Sequence, residues 1–245
     1  MRRPTGSKPK IIRYVIYALG EIVLVVVGIL IAIQIDGKVQ RSRERDLEMF
    51  YLNELLASLR QDTVTLGRSI RTYINGEKSA AMALTVLEAK QRIILDTLEF
   101  VNNLQSSCKY NFNDLPSHTW DELKMSGNLR LITKRELVSR LSSYFLFREN
   151  VFKSGHGEFE SDLLAGHMFI KETFHSKELN DLFDDFKIDS ISSRTVGAIM
   201  ADANAAKLMK RLMVANRMIA RQMQTLHQRT SQLLEALEQE ANSER

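Results

Sequence analysis

Residues Tyr14 to Ile33 form a 20-residue apolar run, YVIYALGEIVLVVVGILIAI, with one ionisable side chain, Glu21, inside it. A helix rises about 1.5 Å per residue, so this stretch would be about 30 Å long, the depth of a bilayer's hydrocarbon core. No other feature constrains the chain as tightly. A soluble fold would have to bury such a helix on every side, whereas a membrane does so at once. The run predicts a transmembrane anchor over 14–35. It is too long for the apolar region of an ordinary signal peptide, and no small-x-small cleavage site follows it, so an uncleaved signal anchor is expected. Glu21 then needs an explanation. A charge at bilayer mid-depth costs roughly 2.5–3.5 kcal/mol on insertion scales, and intramembrane carboxyls commonly have a partner or a task.

Charge is distributed unevenly around this anchor. Arg2, Arg3, Lys8, Lys10 and Arg13 precede it, in a basic tail over 1–13. The whole chain has 34 basic and 30 acidic residues; with the five tail cations and Glu21 set aside, 29 of each remain. The net charge of +4 therefore belongs to the tail. It speaks for membrane orientation and against a nucleic-acid partner. Lys38, Arg41, Arg43 and Arg45 follow the span, but the group before it sets the expectation of a cytosolic N-terminus and an extracytoplasmic C-terminal domain.

The remaining 210 residues, Asp36 to Arg245, suffice for one domain with a substantial core. With 11 Gly and 3 Pro, the composition suits long helices rather than sheets. The expected fold is all-α: the transmembrane helix continues through a polar juxtamembrane stalk over 36–48. It leads into an elongated helical bundle over 49–245, of about four to six helices. An apolar stripe at Leu52, Leu55, Leu59, Thr63, Leu66, Ile70 and Tyr73 steps by three or four, as one helix face requires. Asn75-Gly76 predicts a kink or short break, after which Met82, Leu84 and Leu87 resume the pattern. A helix is expected near Ile93–Leu104 and a loop over Ser106–Ser117. Thr119-Trp-Asp-Glu122 and Thr133-Lys-Arg-Glu136 read as capping boxes, with Gly127 as a left-handed stop and Ile132 and Leu137 as a hydrophobic staple. Gly155-His-Gly157 predicts a break before a helix over Phe159–Phe174, and Asn180–Ser193 reads as a loop. One long helix over Thr195–Glu240 is predicted from the seam Leu208, Leu212, Ala215, Ile219, Met223, Leu226, Thr230, Leu233 and Leu237, a coiled-coil-like spacing with one stutter.

Two segments carry a resemblance. Tyr17-Ala-Leu-Gly-Glu-Ile-Val-Leu-Val-Val-Val-Gly-Ile-Leu-Ile-Ala-Ile-Gln-Ile35 is one. The other is Trp120-Asp-Glu-Leu-Lys-Met-Ser-Gly-Asn-Leu-Arg-Leu-Ile132, followed by Arg135-Glu-Leu. Together they resemble a bacterial family of uncharacterised single-pass membrane proteins, the domain of unknown function numbered six thousand and ninety. The likeness extends over most of the chain, although Asp36-Gly37-Lys38 departs from an Asn-Asn-Trp-like continuation of the anchor. It implies a helical protein of the bacterial inner membrane. It transfers no catalytic residue.

Candidate chemistry centres on the anchor. Ala18, Glu21, Val25, Gly28 and Ala32 recur at 3-4-3-4 spacing and share a helix face. Gly28-x-x-x-Ala32 is a small-x-x-x-small step that permits close helix approach. These residues predict a helix-association site, with Glu21 protonated and hydrogen-bonded across it or paired with a partner's cation. Alternatively, Glu21 reaches headgroups or water and assists no association. A proton or ion path through an oligomer is a bolder version, supported only by Glu21 and Gln34.

Elsewhere the reading is plainer. Glu172-x-x-His175 has the spacing used in di-iron bundles, but no second copy exists. His167 sits on the apolar row Leu163, Ile170 and Phe174 and reads as a satisfied core histidine rather than a ligand. His118, His156 and His227 are isolated, so no metal site is expected. Cys108, the single cysteine, has no motif around it, and no P-loop, dinucleotide fingerprint or nucleophile elbow occurs. Lys207, Lys210, Arg211, Arg217 and Arg221 read as a solvated basic face, balanced by Glu235, Glu238 and Glu240. The methionines from Met200 to Met223 read as core packing rather than an adaptable surface. No catalytic residue and no cofactor are expected. The partners expected are the lipid bilayer and either further copies of the chain or another membrane protein. The function expected is that of a membrane-anchored scaffold or a sensory, interaction-type protein. The alternative is a subunit of an ion- or proton-coupled complex using Glu21.

Overall fold

The computed structural model describes residues 8–89, 96–109, 115–175 and 191–243. The protein is all-α. Seven α-helices and no strand occur among the described residues: α1 (Lys8–Glu88), α2 (Thr97–Ser107), α3 (His118–Met125), α4 (Arg135–Asn150), α5 (His156–Thr173), α6 (Ser193–Ala201) and α7 (Ala205–Ser243). A 3₁₀ turn, Asn128–Leu131, follows α3, and a π-helical turn, Val151–Gly155, joins α4 to α5. The chain forms two compact units, Met1–Tyr51 and Leu52–Arg245.

In the first unit, the stretch of α1 over 14–36 is exposed at every residue. One helix long and apolar enough to cross a membrane therefore lies near the N-terminus. The polar stretch after it is helical too, with the Arg41 Nε donating to the Gly37 carbonyl at 2.9 Å.

In the second unit, α7 is the central packing surface: α2, α4 and α5 all lie against it. The α1 segment in this unit runs antiparallel to α7. Arg60 pairs with Glu238 at 2.7 Å, Glu77 with Arg217 at 2.7 Å and Glu88 with Lys210 at 2.6 Å. Both helices present strict heptad rows to the core. The row of α1 steps 3-4-3-4 from Leu52 to Leu87, and that of α7 steps 4-3-4-3 from Ala205 to Glu240; every residue on them is buried. Strict heptads are what two helices need to stay in contact over many turns.

These rows correct the seams read from sequence. The α1 row passes through Asp62, Ser69 and Gly76, whereas Thr63 and Ile70 are half-buried beside it; Met82 is exposed and Leu84 half-buried, with Ala80 and Ala83 in the core instead. On α7 the row includes Met209 and Asn216, leaving Leu208 half-buried and placing Ala215 as an additional core residue. Following hydrophobicity alone moves the row sideways wherever a polar residue occupies a core position.

The expected break at Asn75-Gly76 does not occur, because α1 is continuous there. Gly76 faces α7 so closely that a Cβ would lie 2.8 Å from the Asn216 Cγ and closer still to its Oδ1. The glycine is a contact point between helices, not a turn. The Gly155-His-Gly157 break is likewise replaced by the π-helical turn and the start of α5. In the opposite sense, the single C-terminal helix is two. Asp202 accepts from the Asn204 amide at 2.7 Å, a local turn that ends α6 and sets α7 off anew.

The capping boxes are displaced. α3 begins with Ser117 at its N-cap, so Thr119 is already helical; α4 begins after Lys134. Gly127 adopts φ 72°, the left-handed stop expected of it, and Ile132 and Leu137 are both buried. A true side-chain cap occurs at Asp96, which accepts from the Glu99 amide at 2.9 Å. The expected loop over Ser106–Ser117 loses its first two residues to α2; residues 110–114 lie outside the described ones, as do the start of the helix expected from Ile93 and most of the loop expected over Asn180–Ser193.

Candidate functional site

The five anchor residues Ala18, Glu21, Val25, Gly28 and Ala32 lie on α1 and are exposed. Their 3-4-3-4 spacing sets them on one side of the helix. A Cβ added at Gly28 would meet nothing within 4 Å, so that surface is open along the backbone.

A second concentration of chemistry, absent from the sequence reading, lies in the bundle. The inner face of α4 carries Leu137, Leu141, Tyr144, Phe145 and Arg148, all buried. Arg148 falls one helical repeat below the two leucines, so the same periodicity that buries them buries a guanidinium. It meets Asp62, from the α1 row, at 3.4 Å through Nη1, and Nη1 also donates to the Pro116 carbonyl at 3.4 Å. Charge-assisted bonds between such groups are normally about 2.7–2.9 Å, so both contacts are long. Asp62 is 1% exposed and its Oδ1 has no hydrogen-bond partner. Burial outweighs the attraction of Arg148 and pushes the Asp62 carboxyl up to about 6. Beside this pair, Tyr144 and Thr230 share a hydroxyl–hydroxyl bond of 3.0 Å. Desolvation raises the Tyr144 phenol above its usual value, keeping it neutral.

Arg148 also lies over the Phe145 ring, 4.8 Å from its centroid, and Phe145 stacks on Trp120 with centroids 4.7 Å apart and planes 4° from parallel. Lys124 lies 5.7 Å from the Trp120 ring centroid. These groups border a pocket of ≈ 560 Å³ between α3 and α4. Its apolar wall includes Leu115, Leu146 and Phe152. Two lysines reach its rim, and each is held by an acid of its own stretch of chain: Lys124 by Asp121 at 3.0 Å, Lys153 by Glu149. Ser117 donates to Asp121 at 2.6 Å. That bond, with Lys124, keeps the Asp121 carboxyl below its ordinary value, and the Lys153 contact does the same for Glu149.

The other residues singled out from the sequence fall elsewhere. His167 is half-buried, one position off the inner row; Gly166 takes the core place, where a Cβ would lie 2.7 Å from the Cys108 sulfur. Desolvation and Lys171 lower the His167 imidazole. His175 contacts the Thr195 hydroxyl at 3.3 Å, and Glu172 is exposed. Among the described residues no group of three or more His, Cys, Asp or Glu is placed to hold a metal ion. Cys108 is buried, its thiol pushed up to about 12 by desolvation, which makes it a poor nucleophile. The basic face of α7 proves to be a set of ties to other helices, since Lys210, Arg211 and Arg217 pair with Glu88, Asp162 and Glu77. Glu238 and Glu240, expected to balance that face, instead pair with Arg60 and Lys134. Among the methionines, Met209 and Met223 are buried, whereas Met200, Met213 and Met218 are half-buried.

Comparison with known protein families, curated proteins and solved structures gives no match.

Proposed function

We propose that this chain is a single-pass inner-membrane protein of the sensory or scaffolding type: a ligand-receiving helical bundle that self-associates through its anchor. The basic tail is cytosolic and the bundle extracytoplasmic. The observation that carries this reading is the complete exposure of 14–36, a stretch of α1 that is apolar apart from Glu21, Gln34 and Asp36. No described residue buries any part of 14–36, and lipid or other helices would supply that burial. The small residues Gly28 and Ala32 coincide with Glu21 on one face, and that favours a helix as the neighbour there. A carboxyl shared between two anchors would be protonated and hydrogen-bonded rather than charged. The resemblance of the anchor and of Trp120–Ile132 to a family of bacterial single-pass membrane proteins points the same way.

Chemical cross-linking of the full chain in native membranes tests the association. Dimers or higher species are expected, and they should decrease when Gly28→Leu fills the close-approach face. A strictly monomeric protein, indifferent to Gly28→Leu, would contradict the reading.

A further inference from the structure

The pocket between α3 and α4 has a property that its walls alone do not give it. Arg148 is 6% exposed; among the described residues its bonds to Asp62 and to the Pro116 carbonyl both run through Nη1, and the Tyr144 hydroxyl is a further hydrogen-bonding neighbour. None of its nitrogens is among the buried atoms left without a hydrogen bond. The remaining N–H groups therefore keep access to the pocket that Arg148 lines. A guanidinium has five N–H donors in a planar fork that matches a carboxylate, and here Nε and Nη2 take no part in the two long bonds to Asp62 and Pro116. A side chain this buried is not a surface cation oriented by chance. It is fixed by the Phe145 ring, by Asp62 and by the Pro116 carbonyl.

We propose that this pocket binds an organic monoanion, a carboxylate with an apolar body, with the carboxylate on the free edge of Arg148 and the body against Trp120 and Phe145. Charge selects the monoanion. The rim lysines are already paired with Asp121 and Glu149, so among the described pocket residues Arg148 is the one buried cation, and Asp62 already claims part of it. A phosphate dianion would bring more charge than the site can compensate. Size and wall chemistry select the body: a pocket of ≈ 560 Å³ with aromatic and leucine walls is in the range that takes small organic ligands. A small inorganic ion would leave those walls wet.

Binding is coupled to a proton. A carboxylate on Arg148 competes with Asp62 for the same guanidinium. Among the described residues the charged or titratable groups facing Asp62 are Arg148 and Tyr144, both from α4; α7 presents the neutral Thr230 and the segment before α3 the Pro116 carbonyl. Tyr144 stays neutral, so only Asp62 changes charge near neutrality. Protonated Asp62 releases Arg148, and affinity should therefore rise as pH falls through about 6. The inference rests on the bundle being ligand-receiving and not on association of the anchor, so the cross-linking test and the one below can fail separately.

Trp120, the single tryptophan of the chain, reports from the pocket wall. The full chain in lipid nanodiscs is titrated with 4-phenylbutyrate, with its neutral counterpart 4-phenylbutan-1-ol and with inorganic phosphate, while Trp120 emission is followed. The expected result is a saturable change with the carboxylate, at least about tenfold weaker with the alcohol or phosphate. Affinity should increase on the order of tenfold between pH 7.5 and pH 5.5. Asp62→Asn should bind more tightly and lose that pH dependence. Because Arg148→Gln alone leaves Asp62 unpaired and can unfold the bundle, binding is also measured in the Asp62→Asn/Arg148→Gln double variant, with helicity checked by circular dichroism. Loss of binding in a helical double variant supports the assignment. Unchanged binding there, equal binding of the alcohol or of phosphate, or no saturable response up to millimolar carboxylate overturns it.

Discussion

Two acids on α1, Glu21 in the first unit and Asp62 in the second, lie among apolar side chains and are treated in opposite ways. In the bundle, Asp62 is inside, with Arg148 supplied by another helix of the same chain. In the anchor, Glu21 is outside, exposed on a helix whose apolar side chains are exposed as well. The difference lies in who completes the site. The bundle meets its buried carboxyl from within, though only with contacts of 3.4 Å and with one oxygen left over. On the proposed reading, the first unit leaves its carboxyl to lipid, water or another helix, and the bundle alone completes its own.

The largest effect should come from breaking the bundle's own solution. Arg148→Leu strands Asp62, and removing one partner of a buried ion pair typically costs about 3–5 kcal/mol. Denaturant unfolding of the detergent-solubilised chain measures it. Asp62→Asn/Arg148→Leu should recover much of the loss, since the uncompensated charge is then gone; an additive double-variant result would show that the two residues are not coupled.

Next in size is the glycine contact. Gly76→Ala forces a Cβ onto the Asn216 side chain and should destabilise by about 1–3 kcal/mol, as overpacking does. Asn216→Ala in the same chain should relieve part of that clash. A Gly76→Ala variant as stable as the wild type would mean that α1 and α7 are further apart than described.

The pH response is smaller and has a definite sign. The folded state holds the Asp62 proton more tightly than the unfolded chain does, with a value of about 6 against an ordinary 3.8. Between those values the native state binds more protons, so stability falls as pH rises from about 4 to about 6 and the penalty is complete above that. Burial and Lys171 also lower the His167 imidazole from its ordinary value, so the quantity to measure is the difference between wild type and Asp62→Asn. That difference should widen with rising pH and then level off. A constant difference would place Asp62 at an ordinary carboxylate value.

The smallest expected effect is none at all. Gly28→Leu and Glu21→Gln should leave the thermal unfolding of the bundle unchanged while altering cross-linking yield. Loss of bundle stability with either variant would erase the distinction between the two halves.

The sequence was most legible where periodicity alone decides. The α7 row could be followed from Ile219 to Leu237, where all but Thr230 are apolar, and the helix long and apolar enough to cross a membrane is plain from length and hydropathy. The α1 row was misplaced at Asp62, Ser69 and Gly76, since each polar or small residue there had an apolar or neutral neighbour that looked a better core residue. A strict 3-4 count from Leu52 would have passed through all three. Gly76 illustrates a second limit: Asn-Gly is a turn signal locally, and only the approach of Asn216 from a distant helix makes it a packing position. The pocket was not visible for a similar reason. Trp120, Phe145 and Arg148 come from two helices, and the row Leu137, Leu141, Tyr144 pointed to a buried Arg148, but arginine is so rarely buried that composition argues against it.

The central contrast is tested most directly by disulfide scanning of the anchor. In a Cys108→Ser background, single cysteines at Ala18, Val25, Gly28 and Ala32 are compared with cysteines at Val23 and Leu30, on the other side of the same helix. Mild oxidation of native membranes should cross-link the first set efficiently and the second poorly. Equal cross-linking around the helix, or none at any position, would contradict the account.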